Sequence, residues 1–247
     1  MKVLACYNIK GGVGKTAATV NLAHDSARQG ARTLIWDLDP QGASSFYFRV
    51  KPKVKGGFKR LLMRKGRPEN AIRGTDYEGL DLIPADFSAR HMDITFDRTR
   101  KPTRKLKRLI KRLAKEYDVL FLDCAPSIGV GSEALFDVVD ALIVPTIPTT
   151  LSVNTLRQLK KHLKGRRGRA PLVLPFFSMV DGRKAMHRKI CKHPEDLAYE
   201  PLRARIPYAS TVEKMGVHRA PVWAFAAGSK PAKAYARLGK EIREELE

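Results

Sequence analysis

Lys10-Gly11-Gly12-Val13-Gly14-Lys15-Thr16 stands between an apolar run and a helix-forming run, and its residue types suit one task. Glycines let the backbone turn tightly and point its N–H groups inward around phosphate oxygens. The helix that follows aims its positive N-terminal end at the same anion. Lys15 is then placed to reach the β- and γ-phosphates of a nucleotide, and the Thr16 hydroxyl to ligate Mg²⁺. An unliganded glycine turn is the plain alternative, and the strand, the GKT and the helix together argue against it. Three aspartates close other apolar runs: Asp37 and Asp39 after one, Asp123 after another. A carboxylate at a strand's C-terminal edge opposite a phosphate loop can hold the hydration shell of Mg²⁺, and Asp123 fits that place. Asp37 and Asp39 alternate, so one of them faces the phosphates more directly. Taken alone, Asp-x-Asp-Pro is equally an ordinary turn.

These residues need a scaffold that brings strand ends together. Val3–Tyr7, Thr33–Trp36, Val119–Leu122, Ala141–Val144 and Leu172–Phe177 read as strands, near-continuously apolar as when both faces are covered. Helical patterns fill Lys15–Gln29, which Gly30 stops, then Arg104–Lys115, Ser132–Val139, Leu151–Leu163 and Lys230–Glu245. Strand–helix alternation implies an α/β fold: a doubly wound, mostly parallel sheet with helices on both faces, and the Gly-rich loop ending in Gly14-Lys15-Thr16 makes it of the P-loop NTPase kind. No linker or repeat divides the chain, so residues 1–247 are expected to form a single domain.

The loop departs from the usual pattern in having Ile9 five residues before Gly14, where glycine is common, and a second lysine, Lys10, at its start. This resembles the deviant Walker A motif of the ParA/MinD family of ATPases. Further matches follow in order. Asp37-Leu38-Asp39-Pro40-Gln41-Gly42 resembles that family's switch I, and Leu120–Ser127 its Walker B strand and switch II. Phe177–Arg183, Ile206-Pro207, Pro221 and Lys230–Ile242 resemble its later strand end and closing region. The absence of an N-terminal helix-turn-helix ahead of the first strand resembles the Soj-like branch.

The resemblance implies ATP and Mg²⁺ as ligands and slow ATP hydrolysis. Gly11, Gly12, Val13, Gly14, Lys15, Thr16 and Ala17 would hold the nucleotide, with Met179 and Pro207 against the adenine. Thr16 would bind the metal directly, and Asp37 and Asp123 through water. Asp39 would position or activate the attacking water. Lys10 would cross a dimer interface to the partner's nucleotide, acting with Lys15 on the charge of phosphoryl transfer. Gly11 would lie where the two loops nearly touch. Ala17 and Ala43 stand where hydroxyl or Asn residues are common in the family.

Charge supplies the second signal. The 247 residues carry 47 Lys and Arg against 25 Asp and Glu, a formal net charge of +22. Four runs contain no acid: 49–67 with nine basic residues, 98–115 with ten, 157–169 with seven and 183–192 with five. A solvated surface mixes signs, so these runs imply a polyanion held by its phosphate backbone without base readout. Leu106, Leu109, Ile110 and Leu113 form the buried stripe of the second run, leaving its cations outward. The arginines that contact DNA in many relatives after Ile-Pro are replaced here by Tyr208–Lys214. The DNA contacts are therefore assigned to Lys160, Lys161, Arg166, Arg167, Arg188, Lys189 and Lys214.

Three scattered cysteines fit a reducing cytoplasm better than disulfides or zinc. No apolar run approaches the roughly 20 residues of a membrane span, and no secretory signal is visible. The expected function is a ParA-like ATPase that dimerises on ATP, binds double-stranded DNA nonspecifically and positions or partitions a cargo on the nucleoid. A ParB-like or cargo-adaptor protein would stimulate hydrolysis and so release it. A MinD-like membrane-associated factor is the alternative, disfavoured by the acidic C-terminus Glu241–Glu247. A metabolic P-loop relative is the third reading.

Overall fold

The computed structural model describes the chain except residues 56, 63–67, 89–94, 97, 127–129 and 167–169. Apolar runs of Val, Leu and Ile become strands with both faces covered, as in Thr33–Asp37 (β2) and Ala141–Thr146 (β6), in which every residue is buried. Together with Lys2–Cys6 (β1), Arg73–Gly74 (β3), Leu80–Ile83 (β4), Val119–Asp123 (β5), Leu172–Val180 (β7) and Arg205–Pro207 (β8) they form one sheet. Its order is β3-β4-β2-β5-β1-β6-β7-β8, parallel throughout except for β3 against β4.

The helices follow their strands: α1 (Lys15–Arg28), α2 (Ala43–Tyr47), α3 (Gly57–Leu62), α4 (Pro102–Leu113), α5 (Val130–Phe136), α6 (Thr150–Lys164) and α7 (Ala185–Lys192). Four more close the chain: α8 (Ser210–Glu213), α9 (Met215–His218), α10 (Val222–Ala226) and α11 (Lys230–Glu244). The expected boundaries shift by one to three residues. Helix α4 starts at Pro102, whose fixed φ suits a first turn, and α1 ends before Gly30, which takes a φ of 89°. Thr149 and Ser229 cap α6 and α11 by accepting from Ser152 N and Ala232 N. The short strands β3, β4 and β8 and helices α2, α3 and α7–α10 have too few residues to show a period in sequence.

Two apolar layers sandwich the sheet. One packs Leu106, Leu109 and Leu113 of α4 and Leu156, Leu159 and Leu163 of α6 against Leu34, Trp36, Leu120 and Leu142. The other packs Val20 and Leu22 of α1 and Tyr235, Leu238 and Ile242 of α11 against Leu4, Ile35, Phe121 and Ile143. Parallel strands place all their C-terminal ends on one edge, and β1, β2 and β5 meet there at the centre of the sheet.

Helices α1 and α11 meet around a buried carboxylate. Asp25 accepts from Arg28 at 3.3 Å and from Arg243 at 3.1 Å. Gly239 lets α11 come this close: a Cβ there would sit 2.5 Å from Asp25 Oδ2. Gly239→Ala should therefore lower stability by about 1–3 kcal/mol in urea unfolding. Gly228→Ala, whose Cβ would meet nothing within 4 Å, should leave the midpoint unchanged or slightly raised.

Candidate functional site

The turn after β1 wraps the N-terminus of α1. Gly12 and Gly14 adopt φ values of 69° and 95°, and Gly14 caps α1 in the left-handed region. Gly14 is also hemmed in: a Cβ there would lie 3.0 Å from Ser178 Oγ at the end of β7. Val13 is buried beneath the loop, Gly11 and Gly12 are exposed, and Thr16 and Ala17 lie half-buried in the first turn. The loop has the geometry of a phosphate cradle: exposed glycines above, a helix N-terminus behind.

Asn8 anchors the cradle. It is buried, donates from Nδ2 to Pro145 O at 2.8 Å, and accepts from the Lys10 amide at 2.9 Å. Lys10 thus has a fixed backbone, while its half-buried ammonium makes no hydrogen bond among the described residues. Lys15 points the other way. Its buried Nζ donates to Lys10 O at 3.3 Å, closing a ring across the loop. Burial lowers the Lys15 pKa, and the charges of Asp123 and then Asp39 offset part of that fall.

The carboxylates sit on neighbouring strand ends. Asp37 and Asp123 are paired in register across β2 and β5, and both are buried. Asp123 Oδ2 accepts from Ser44 Oγ at 2.7 Å, Oδ1 from Thr19 Oγ1 at 3.4 Å, and Thr16 bonds to it as well. Asp37 Oδ2 accepts from Ser45 N at 2.9 Å and Ser45 Oγ at 2.7 Å. Ser45 Oγ in turn accepts from Ala85 N at 2.8 Å, which fixes it between β2 and the end of β4. Burial lifts Asp123 to about 7, with repulsion from Asp37 adding to it and the Ser44 and Thr16 hydroxyls opposing. Burial likewise lifts Asp37 to about 6, against hydrogen bonds from Ser45 and the Asp39 amide. Asp39 is half-buried at the edge; its Oδ1 accepts from Gln41 N at 3.0 Å.

Hydroxyl and carboxylate oxygens are a hard donor set, suited to Mg²⁺. Thr16, Asp37 and Asp123 supply it beside the cradle, so the residues present fit that ion. Met179 (φ 52°) joins them from β7, its Cε lying 3.8 Å from a Cβ placed on Gly14. Pro207 is half-buried on β8, opposite Val180. Lys10 through Ala17, Asp37, Asp39, Asp123 and Met179 are thus gathered on one edge, with Pro207 along it.

The basic candidates divide. Lys161, Lys189 and Lys214 are exposed. Lys160 donates to Ala198 O at 2.5 Å, and Arg166 pairs with Asp137 at 2.5 Å and lies over the Phe136 ring. Arg188 is exposed but donates to the carbonyls of Gly182 and Arg183. Arg167 and Ser127 lie outside the described residues. Sequence reasoning missed Asn8, Ser44, Ser45 and Ser178. The two serines after Gly42 carried a signal, since Ser at a helix start binds nearby groups; Asn8 and Ser178 carried none.

The family model described as an AAA domain matches residues 1–169. The sporulation initiation inhibitor protein Soj of Bacillus subtilis is 28% identical over 98% of this chain and 98% of its own length. The chromosome partitioning protein ParA of Caulobacter vibrioides is 28% identical over 98% of this chain and 94% of its own. Among solved structures, cobyrinic acid a,c-diamide synthase from Mycobacterium smegmatis, with bound ADP and magnesium, superposes with a TM-score of 0.82. It is 26% identical, over 100% of this chain and 95% of that one.

The carboxylate pair makes the site costly to the fold. Both pKa values are raised, so between about pH 4 and about 7 the native state holds protons that the unfolded chain has released. Stability therefore falls as pH rises through that window and stays low above it. Asp123→Asn should raise the thermal midpoint at pH 8, by about 2–4 °C for each kcal/mol relieved. The same variant should lose the further stabilisation that Mg²⁺ with ADP confers on the parent chain.

Proposed function

The chain belongs to the ParA/MinD family of P-loop ATPases, and from that premise we propose that it is a nucleoid-associated positioning ATPase. ATP joins two copies face to face, the dimer holds double-stranded DNA without reading its sequence, and hydrolysis releases it. A ParB-like or cargo-adaptor protein sets the timing by stimulating hydrolysis. The observation that carries this reading is the pair of loop lysines. Lys15 turns into its own loop, whereas Lys10 is fixed by its backbone and leaves its ammonium uncommitted at the rim. Gly11 beside it would meet nothing within 4 Å if given a Cβ, so the space over the loop is open to a second copy.

The residues divide the work as follows. Loop amides from Gly11 to Thr16 and the α1 N-terminus would bind the β- and γ-phosphates of ATP. Thr16 would hold Mg²⁺ directly, with Asp37 and Asp123 acting through water. The ion would supply charge neutralisation on the phosphates. Lys15 would leave the Lys10 carbonyl for the γ-phosphate. Asp39, with Oδ1 held by the Gln41 amide, would orient a water for in-line attack and take up its proton. The new bond joins the water oxygen to the γ-phosphorus, and the bond to the β,γ-bridging oxygen breaks to release ADP. The partner subunit's Lys10 would neutralise charge on that leaving oxygen. Met179 and Pro207 would offer apolar faces to the adenine.

The packing of helix α11 supports DNA over insertion of that helix into a membrane. Helix α11 spends its apolar side on the core through Ala234, Tyr235, Leu238 and Ile242, leaving no apolar face to insert. Among the described residues no helix is long and apolar enough to cross a membrane. The excess of positive charge supports a polyanion as the surface on which the dimer rests.

Two substitutions test the assignment by light scattering and phosphate release. Asp39→Ala should keep ATP-dependent dimers yet lose about 100-fold or more in turnover. Lys15→Ala should form no ATP-dependent dimer. A Lys15→Ala chain that still dimerises with ATP would show that the site is wrongly assigned.

A further inference from the structure

Helix α4 carries more charge than its place in the core requires. Leu106, Leu109 and Leu113 are buried against the sheet, on the face opposite α1. Arg104, Lys107, Arg108 and Lys111 lie on its outer side and are all exposed. They fall at i, i+3, i+4 and i+7, the spacing of one helical face, a row of about 10 Å. Lys115, also exposed, prolongs that row in the turn beyond the helix. None of the five makes an ion pair among the described residues. The cation of α4 that does pair, Arg112, reaches Glu69 at the flank.

Like charges three and four residues apart repel, so such a row costs the isolated helix stability. Solubility alone is served by mixed signs. A row of unpaired cations on a rigid, core-anchored helix matches instead a row of phosphates. We propose that α4 is the ridge by which this chain grips the phosphate backbone of duplex DNA. The inference rests on the DNA-binding reading above and gives it a place on the molecule. Duplex DNA is favoured over an anionic bilayer because α4 offers no bulky apolar side chain outward: its leucines are 1–4% exposed, and interfacial helices need such residues to insert. The basic positions assigned from sequence offer no such row. Lys160, Arg166 and Arg188 spend their charge on Asp137 or on backbone carbonyls of their own chain. Lys161, Lys189 and Lys214 are exposed but stand singly on or beside three different elements, whereas the α4 cations form one unpaired row.

The test compares the parent chain with the triple variant Lys107→Gln, Arg108→Gln, Lys111→Gln, using fluorescence anisotropy of a labelled 24-bp random-sequence duplex with ATP. All three positions are exposed, and unchanged DNA-free ATP turnover shows that the variant is folded. The expected result is an affinity loss of about 10-fold or more at 100 mM salt. The slope of log K against log salt should also fall by about two to three, one phosphate contact per cation removed. A triple variant that binds the duplex within twofold of the parent overturns the α4 assignment and leaves the DNA reading standing. A parent chain that dimerises with ATP but binds no duplex overturns that reading and this one together. Binding of the parent to phosphatidylglycerol vesicles, abolished in the triple variant and stronger than binding to duplex, would make the ridge a membrane contact and overturn its role on DNA.

Discussion

Two carboxylates buried side by side are the constraint on which the rest of the site depends. Asp37 and Asp123 end adjacent parallel strands in register, and burial lifts both above the ordinary carboxylate range, with repulsion from Asp37 adding to the shift of Asp123 and repulsion from Asp39 to that of Asp37. A fold tolerates this only with compensation. Here it comes from serine hydroxyls and amides, which soften the repulsion without cancelling it. The Lys15 ammonium, whose pKa the charge of Asp123 helps to raise against burial, and the glycine loop stand beside the pair. Under the proposed function, the same electrostatic tension that weakens the fold would favour a magnesium–nucleotide complex, whose metal and phosphates would bring opposite charges to the carboxylates and to Lys15 respectively.

The candidate-site residues that the fold gathers on one edge were legible in the sequence because few residue types suit such chemistry. A tight phosphate loop needs glycine at Gly12 and Gly14, and the positive φ at both is that need realised. Asp37 and Asp123 stood out because a carboxylate ending an apolar strand is otherwise wasteful. The supports were less legible. Asn8 and Ser178 are ordinary polar residues until β6 and β7 bring Pro145 to one and Gly14 to the other. Strands as short as β3 and β8 gain their form from pairing rather than pattern. Charge runs likewise conceal which cations are spoken for. Nothing local reveals that Arg166 is held by Asp137 while Lys161, a few residues earlier, is exposed.

The proposed switch couples two ends of this economy. In that proposal the Mg²⁺ that accompanies the nucleotide would satisfy the strand-edge carboxylates, Lys10 would reach a partner, and dimerisation would double the basic surface presented to DNA. Two weak electrostatic grips on one polymer bind far more tightly than one, because the second contact is intramolecular. Hydrolysis then needs only to separate the copies for each to fall back to the weaker single grip. The core beneath is conventional, and its two apolar layers serve to keep β1, β2 and β5 in register at the edge.

The most direct measurement of this account is binding to random-sequence duplex DNA with ATP, with ADP and without nucleotide, each across a salt series. The account predicts binding much tighter with ATP than in the other two states, and falling steeply with salt as phosphate contacts are screened. Equal binding in all three states would contradict it, reducing the +22 charge to general adhesion and uncoupling DNA from the nucleotide site.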